Sequence, residues 1–228
     1  MASKTYLIDN NQVNDNLFKI IPRIPKRQNP ILKRIYEPAR LLKVSELPFY
    51  SFDTRKINRA GIIPYTFIDD KLYICLGKDI RTGDLTDFGG GRKENENIIY
   101  CAVREANEET RCAFGRLRPN EMSNYYCLYN SSMLIILIPV SSNDGDIRDV
   151  SKYNFDNMVN ISEKQSKYRC YNEISDIVWL SEEEIDEIFS DIPNIRLFAR
   201  VRRFIYSCLT FKQNVKDMKK ILKTNFIM

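Results

Sequence analysis

Glu105, Glu108 and Glu109 follow one another at steps of three and four residues. On a helix that spacing brings the carboxylates together on one side. Like charges so close raise one another's pKa unless a cation sits among them. Hard divalent ions such as Mg²⁺ or Mn²⁺ take oxygen ligands, and magnesium usually joins a few carboxylates to waters and substrate phosphates. Just upstream, Gly89, Gly90 and Gly91 read as a glycine turn whose backbone can approach a metal or a phosphate closely. These residues outline a metal–phosphate site. The sequence contains no histidine, which removes Cys/His zinc sites, Ser-His-Asp and Cys-His nucleophiles and imidazole acid–base work. Carboxylates are left to move any proton.

The glutamates need an element to carry them. Ile98, Ile99, Ala102, Val103 and Ala106 recur at helical steps, so the spacing predicts a helix with one apolar face and the acids on another. The stretch from Gly89 to Cys112, GGGRKENENIIYCAVREANEETRC, resembles the Nudix box, G-x(5)-E-x(7)-R-E-U-x-E-E-x-G-U, with U a bulky aliphatic. Gly90, Glu96, Arg104, Glu105, Glu108 and Glu109 fall on its spacing without a gap. A solvated acidic helix face is the bland alternative, yet Gly90 and Glu96 lie outside the helix and gain nothing from such a face. Three places depart from the pattern: Arg111 stands where the box ends on glycine, and Ala106 and Cys112 stand for aliphatics. If that glycine takes left-handed backbone, arginine there costs on the order of 1 kcal/mol.

The resemblance implies an α/β fold, a Nudix-type α/β/α sandwich with a mixed sheet, and hydrolysis of a nucleoside diphosphate linked to a group X. It implies that Glu105, Glu108 and Glu109 ligate Mg²⁺ or Mn²⁺ with the backbone carbonyl of Gly89. Glu96 and Gly90 then orient the cluster together with Arg104, the arginine as a fork on a carboxylate.

Length and charge set the surroundings. At 228 residues the chain suits one domain of good size with appendages. Residues 1–59 carry a balance of +7, residues 60–199 one of −9, and residues 200–228 again +7. An acidic middle is flanked by two basic ends. We read residues 1–58 as a basic N-terminal extension, 59–192 as the hydrolase domain and 193–228 as a basic C-terminal helical segment. The six cysteines form no CxxC pair, and the longest apolar run, Met133–Val140, is too short to span a bilayer. The first residues lack a signal-peptide pattern. The expectation is a cytoplasmic protein with free thiols and no membrane partner.

In the extension, prolines 22, 25, 30 and 38 break any long helix, and Arg23, Lys26, Arg27, Lys33 and Arg34 form a candidate strip for RNA phosphates. A solvated strap is the alternative. PFYSFD (48–53) offers aromatics for base stacking or for a core. AGIIPYTFID and KLYICLGKD read as a hairpin about Asp69-Asp70. Residues 123–130 and 132–140 read as strands, the second buried on both faces. Residues 141–170 are polar and read as a long loop. EISDIVWL reads as a strand, followed by a helix capped by Ser181 with Glu184 three residues on. Residues 193–224 read as a basic helical tail, with Ile195, Phe198, Val201, Ile205 and Leu209 on one face.

The form N-E-I-x-x-I-x-W (172–179) is similar to the second box of messenger-RNA decapping Nudix enzymes, and on that resemblance Glu173 is the carboxylate supplied from outside the helix. Asp144, Asp149 and Glu163 are rivals for that role. Three readings of X stay open. The first is decapping of RNA 5′ ends with release of a capped nucleoside diphosphate, favoured by the basic ends and the NEISDIVW passage. The second is hydrolysis of small diphosphates such as dinucleoside polyphosphates, ADP-ribose or diphosphoinositol phosphates. The third is a non-catalytic module binding RNA or protein, supported by Arg111 alone.

Overall fold

The computed structural model describes residues 38–47, 57–165 (backbone alone beyond 158), 173–188, 195–208 and 219–223. Its strands are β1 (Arg40–Lys43), β2 (Arg59–Ile68), β3 (Lys71–Asp79), β4 (Leu85–Thr86), β5 (Phe88–Gly91), β6 (Tyr126–Tyr129), β7 (Met133–Pro139) and β8 (Ile174–Ser181). They form one sheet in the order β1-β6-β7-β2-β3-β4, with β5 also beside β2 and β8 beside β3. β2 and β7 run parallel and every other pair antiparallel, so the sheet is mixed. The hairpin turns through Asp69 and Asp70 at φ 48° and 62°, the left-handed pair that a two-residue turn between twisted strands requires.

Helices cover both faces. α1 (Ile98–Glu109) and α2 (Ile147–Gln165) lie on one side, α3 (Glu182–Ile188), α4 (Ala199–Ser207) and residues 219–223 on the other. β7 shows why. Leu134, Ile136 and Ile138 pack toward α1, Met133, Ile135 and Leu137 toward α4, and all six are buried. Each such side chain contributes about 1.5–3 kcal/mol when fully withdrawn from water. The expected three-layer α/β/α arrangement with a mixed sheet is the one observed, and the five described cysteines are free thiols. Among the described residues no helix is long and apolar enough to cross a membrane.

Four local expectations change. The glycines form no turn: Gly89–Gly91 belong to β5, which pairs with the first residues of β2 while β3 takes the last. Residues 147–165 are the helix α2 rather than loop, because Ile147, Ser151 and Phe155 place one buried group on each of its first three turns. Polar neighbours hide so thin a stripe. The strand β1, inside the segment read as an extension, pairs with β6 and is part of the same sheet. Ile195–Phe198 is extended rather than helical, since Leu197 bridges Leu85 and Phe198 donates to the Leu85 carbonyl at 2.8 Å.

The tail also spends part of its charge on the fold. Lys219 pairs with Glu182 at 3.1 Å and reaches Asp70 at 3.9 Å, and Lys223 pairs with Asp70. Between them Leu222 is buried, its carbonyl accepting from the Tyr65 hydroxyl at 3.2 Å.

Arg111 ends α1 in left-handed backbone, φ 53°, as the glycine position implies. Its side chain is not idle: it is 6% exposed, the guanidinium stacks 4.2 Å from the Phe155 ring and donates to the Ile174 carbonyl at 3.2 Å. The clamp joins α1, α2 and β8, and offsets the strain. Arg111→Gly is therefore expected to lower stability in urea, and Arg111→Ala to lower it by roughly 1 kcal/mol more, because alanine keeps the strained backbone. A glycine variant more stable than the wild type would show that the clamp contributes nothing.

Candidate active site

α1 begins where Asn97 accepts from the Ile99 N–H at 2.8 Å, satisfying one of the free donors of a helix start. Ile98, Cys101, Ala102 and Ala106 fix its rotation against the sheet. The acids are not segregated on a separate face as the spacing suggests: Glu109 is buried on this same side and Glu105 lies at its edge over β5, while Glu108 is half-buried. Arg104 lies among them as a fork on Glu96, Nε at 2.7 Å and Nη2 at 2.9 Å. Its Nη1 donates to Glu105 at 2.6 Å and to Glu108 at 3.3 Å, and Nη2 also reaches the Gly91 carbonyl at 3.2 Å. One guanidinium thus ties four pieces of the motif together. The arginine beside it holds the Glu96 carboxyl down at about 2.

Glu105 lies against the backbone of Gly90, where an added Cβ would come within 2.5 Å of its carboxylate. Burial pushes the Glu105 carboxyl up; Arg104 pulls it down, and Glu108 and Glu173 push it up further. Glu109 is the extreme member. It is 6% exposed and its Oε2 has no hydrogen-bond partner among the described residues. Burial first, then Asp87 and Glu105, push its carboxyl up to about 9, against a smaller downward pull from Arg59 and the Gly89 N–H.

Beneath the glycines is a pair absent from the sequence reading. Arg59 donates to Asp87 Oδ2 at 2.6 Å and to the Gly89 carbonyl at 2.7 Å. Both side chains are withdrawn from water, that of Asp87 completely. The signal in the sequence was slight: an acid just before the glycines, and a base at the first position of a strand.

Glu173 is exposed at the start of β8, with its carbonyl accepting from the Ile80 N–H at 2.9 Å. It is near enough to Glu105 to act on that carboxyl. Of its rivals, Asp144 is in the loop before α2, Asp149 is in the first turn of α2, and the Glu163 side chain lies outside the described residues. Arg23, Lys26, Arg27, Lys33 and Arg34, the PFYSFD aromatics, Lys216 and Leu209 lie outside the described residues too. A cavity of about 360 Å³ opens beyond the end of α1, between Phe114, Tyr125, Val140 and Asn154, and none of the site carboxylates lines it.

Among the described residues no three acidic or thiol groups are placed as they would be around an ion; Arg104 holds Glu96, Glu105 and Glu108 instead. The donor set nevertheless fits a hard divalent cation. Glu105, Glu108 and Glu109 supply carboxylate oxygens, the Gly89 peptide lies against Glu109, and the buried Glu109 Oε2 lacks a partner that an ion would supply.

No protein-family profile matches the sequence, and no curated protein matches it. Solved structures to which the chain is similar include the Nudix hydrolase RenU of M. Smegmatis, at 10% identity over 74% of this chain and 88% of that one, TM-score 0.39. A C. elegans Ap4A hydrolase binary complex is 13% identical over 75% and 97% of the two chains, TM-score 0.34. A Nudix hydrolase from Nitrosomonas europaea is 18% identical over 66% and 87%, TM-score 0.34. All three are distant.

The raised Glu109 carboxyl has a measurable sign. Its folded-state value, about 9, lies above the ordinary 4.5. The protonated form therefore stabilises the metal-free fold fully below that ordinary value, and the contribution is lost as pH rises toward 9. The melting temperature of the metal-free protein should fall between pH 5 and pH 9 on the order of that window. Glu109→Gln should flatten the fall. An unchanged pH profile in the variant would remove Glu109 as its source.

Proposed function

We propose that the protein is a divalent-metal-dependent hydrolase of diphosphate linkages, of the Nudix kind, whose substrate is the 5′ cap of RNA. The observation that carries the hydrolytic reading is Glu109, buried beside Asp87 and Glu105 with an unsatisfied oxygen. A carboxylate placed so is costly to the fold and useful to a cation.

Glu105, Glu108 and Glu109 with the Gly89 carbonyl would hold Mg²⁺ or Mn²⁺, whose chemistry there is to neutralise phosphoryl oxygens and make bound water acidic. The chain does the rest. Arg104 keeps Glu96 and Glu105 in register. Gly90 lets Glu105 lie flush against β5. Glu173, outside α1 and facing solvent, is suited to take the proton from the attacking water.

The choice of capped RNA rests on the basic residues between 23 and 34 and on the NEISDIVW passage, as sequence features. One observation favours a second reading, small nucleoside diphosphates or diphosphoinositol phosphates. Lys219 and Lys223 are engaged by Asp70 and Glu182, which leaves the C-terminal segment fewer cations for RNA.

The deciding experiment offers cap-labelled RNA, free cap dinucleotide and a panel of small diphosphates with Mg²⁺ or Mn²⁺, and identifies the products. Release of a capped nucleoside diphosphate from RNA is expected. Binding of RNA should weaken with salt at a slope of about 0.7 per phosphate contact. Replacing Arg23, Lys26, Arg27, Lys33 and Arg34 by serine should flatten that slope and spare hydrolysis of a small diphosphate. Equal cleavage of capped RNA and free cap dinucleotide, without salt dependence, would move the small-molecule reading to first place. Within the site, Glu173→Gln should lower kcat by about a hundredfold or more. Turnover near the wild type would pass the base's role to another carboxylate.

A further inference from the structure

We propose that Arg59 and Asp87 are positioning residues, a buried ion pair that fixes the Gly89 peptide unit, and through it Glu109, where a divalent cation can use both. This rests on the reading of the acidic cluster as a cation site. The Gly89 peptide is held from two directions. Its carbonyl accepts from Arg59 Nη2 at 2.7 Å, and its N–H donates to Glu109. The other arm of the guanidinium is on Asp87 at 2.6 Å, and Asp87 also accepts from the Thr86 hydroxyl at 3.2 Å.

The backbone makes room for this pair and for little else. A Cβ on Gly61 would lie 2.0 Å from Asp87 Oδ2, and one on Gly89 would lie 2.4 Å from the Gly61 Cα. Asp87 does more than anchor the arginine. A bare guanidinium on the Gly89 carbonyl would repel a second cation; the carboxylate beside it cancels most of that field. A carbonyl oxygen has two lone pairs, so with Arg59 on one the other stays available. Two charges in a buried site are a poor way to gain stability, since apolar residues of similar size serve as well or better. The fork is suited instead to fixing direction.

The test replaces the pair by apolar groups, Arg59→Met with Asp87→Leu, in the full chain. It measures melting temperature, Mn²⁺ affinity by calorimetry, and kcat and KM on the diphosphate that the wild type cleaves best. The expected result is a melting temperature close to the wild type, Mn²⁺ binding weaker by about tenfold or more, and a lowered kcat with little change in KM. Arg59→Lys, which keeps the cation and loses the fork, should fall between wild type and double variant in Mn²⁺ affinity. A folded double variant with wild-type Mn²⁺ affinity and turnover would make the pair structural only. Should the double variant fail to fold, Arg59→Lys decides alone, and wild-type Mn²⁺ affinity there overturns the proposal. A wild type that binds no Mn²⁺ would instead overturn the cation-site reading, and this inference with it.

Discussion

Glu109 is buried at the end of α1 against Asp87 and Glu105, and much of the surrounding structure can be traced to accommodating it. Burial of a carboxylate costs several kcal/mol unless the group is neutralised or paired. Two guanidinium groups share the task. Arg104 gathers Glu96, Glu105 and Glu108 on the open side, and Arg59 with Asp87 stands on the closed side below β5. The glycines of β2 and β5 follow from the same constraint. Gly61, Gly89 and Gly90 each lie where a side chain would collide with one of these carboxylates or with the backbone that carries them.

The sheet supplies the rigidity. β2 is central, parallel to β7 on one side and shared between β3 and β5 on the other. That division opens a place for β5, so the glycine strand is hydrogen-bonded along its length instead of free to move as a turn. α1 is then seated on the sheet by small side chains, Ala102 and Ala106 among them, which bring its backbone close. Arg111 closes the far end by stacking on Phe155 and bonding the Ile174 carbonyl, next to Glu173. Arg111 thereby ties the end of α1 to the start of β8, where Glu173 stands.

Much of this was legible in the sequence, and what was not had a physical reason. The helix with its glutamates, the hairpin, the buried strand β7 and the capped α3 follow from strong periodicities and local rules. The capping box is present in full, Glu184 accepting from the Ser181 N–H at 2.8 Å and Ser181 from the Glu184 N–H at 3.3 Å. α2 was hidden because Ile147, Ser151 and Phe155 give one inward group per turn, one of them a serine that accepts from the Trp179 ring N–H. β1 is four residues long and its partner is far away in sequence. Arg59 and Asp87 meet only because β2 and β5 pair, and no local pattern announces a contact between residues 28 apart. Arg111 looked like a strained substitution; its compensation lies on two other elements.

If the acidic cluster around Glu109 binds a divalent cation, proton release on binding reveals it. Mn²⁺ is titrated into the metal-free protein at neutral pH in two buffers of different ionisation enthalpy. Glu109, with its carboxyl up at about 9, is protonated under those conditions and must lose that proton to become a ligand. Binding should release about one proton, and Glu109→Gln should release none. No binding, or binding whose heat is the same in both buffers, would contradict it.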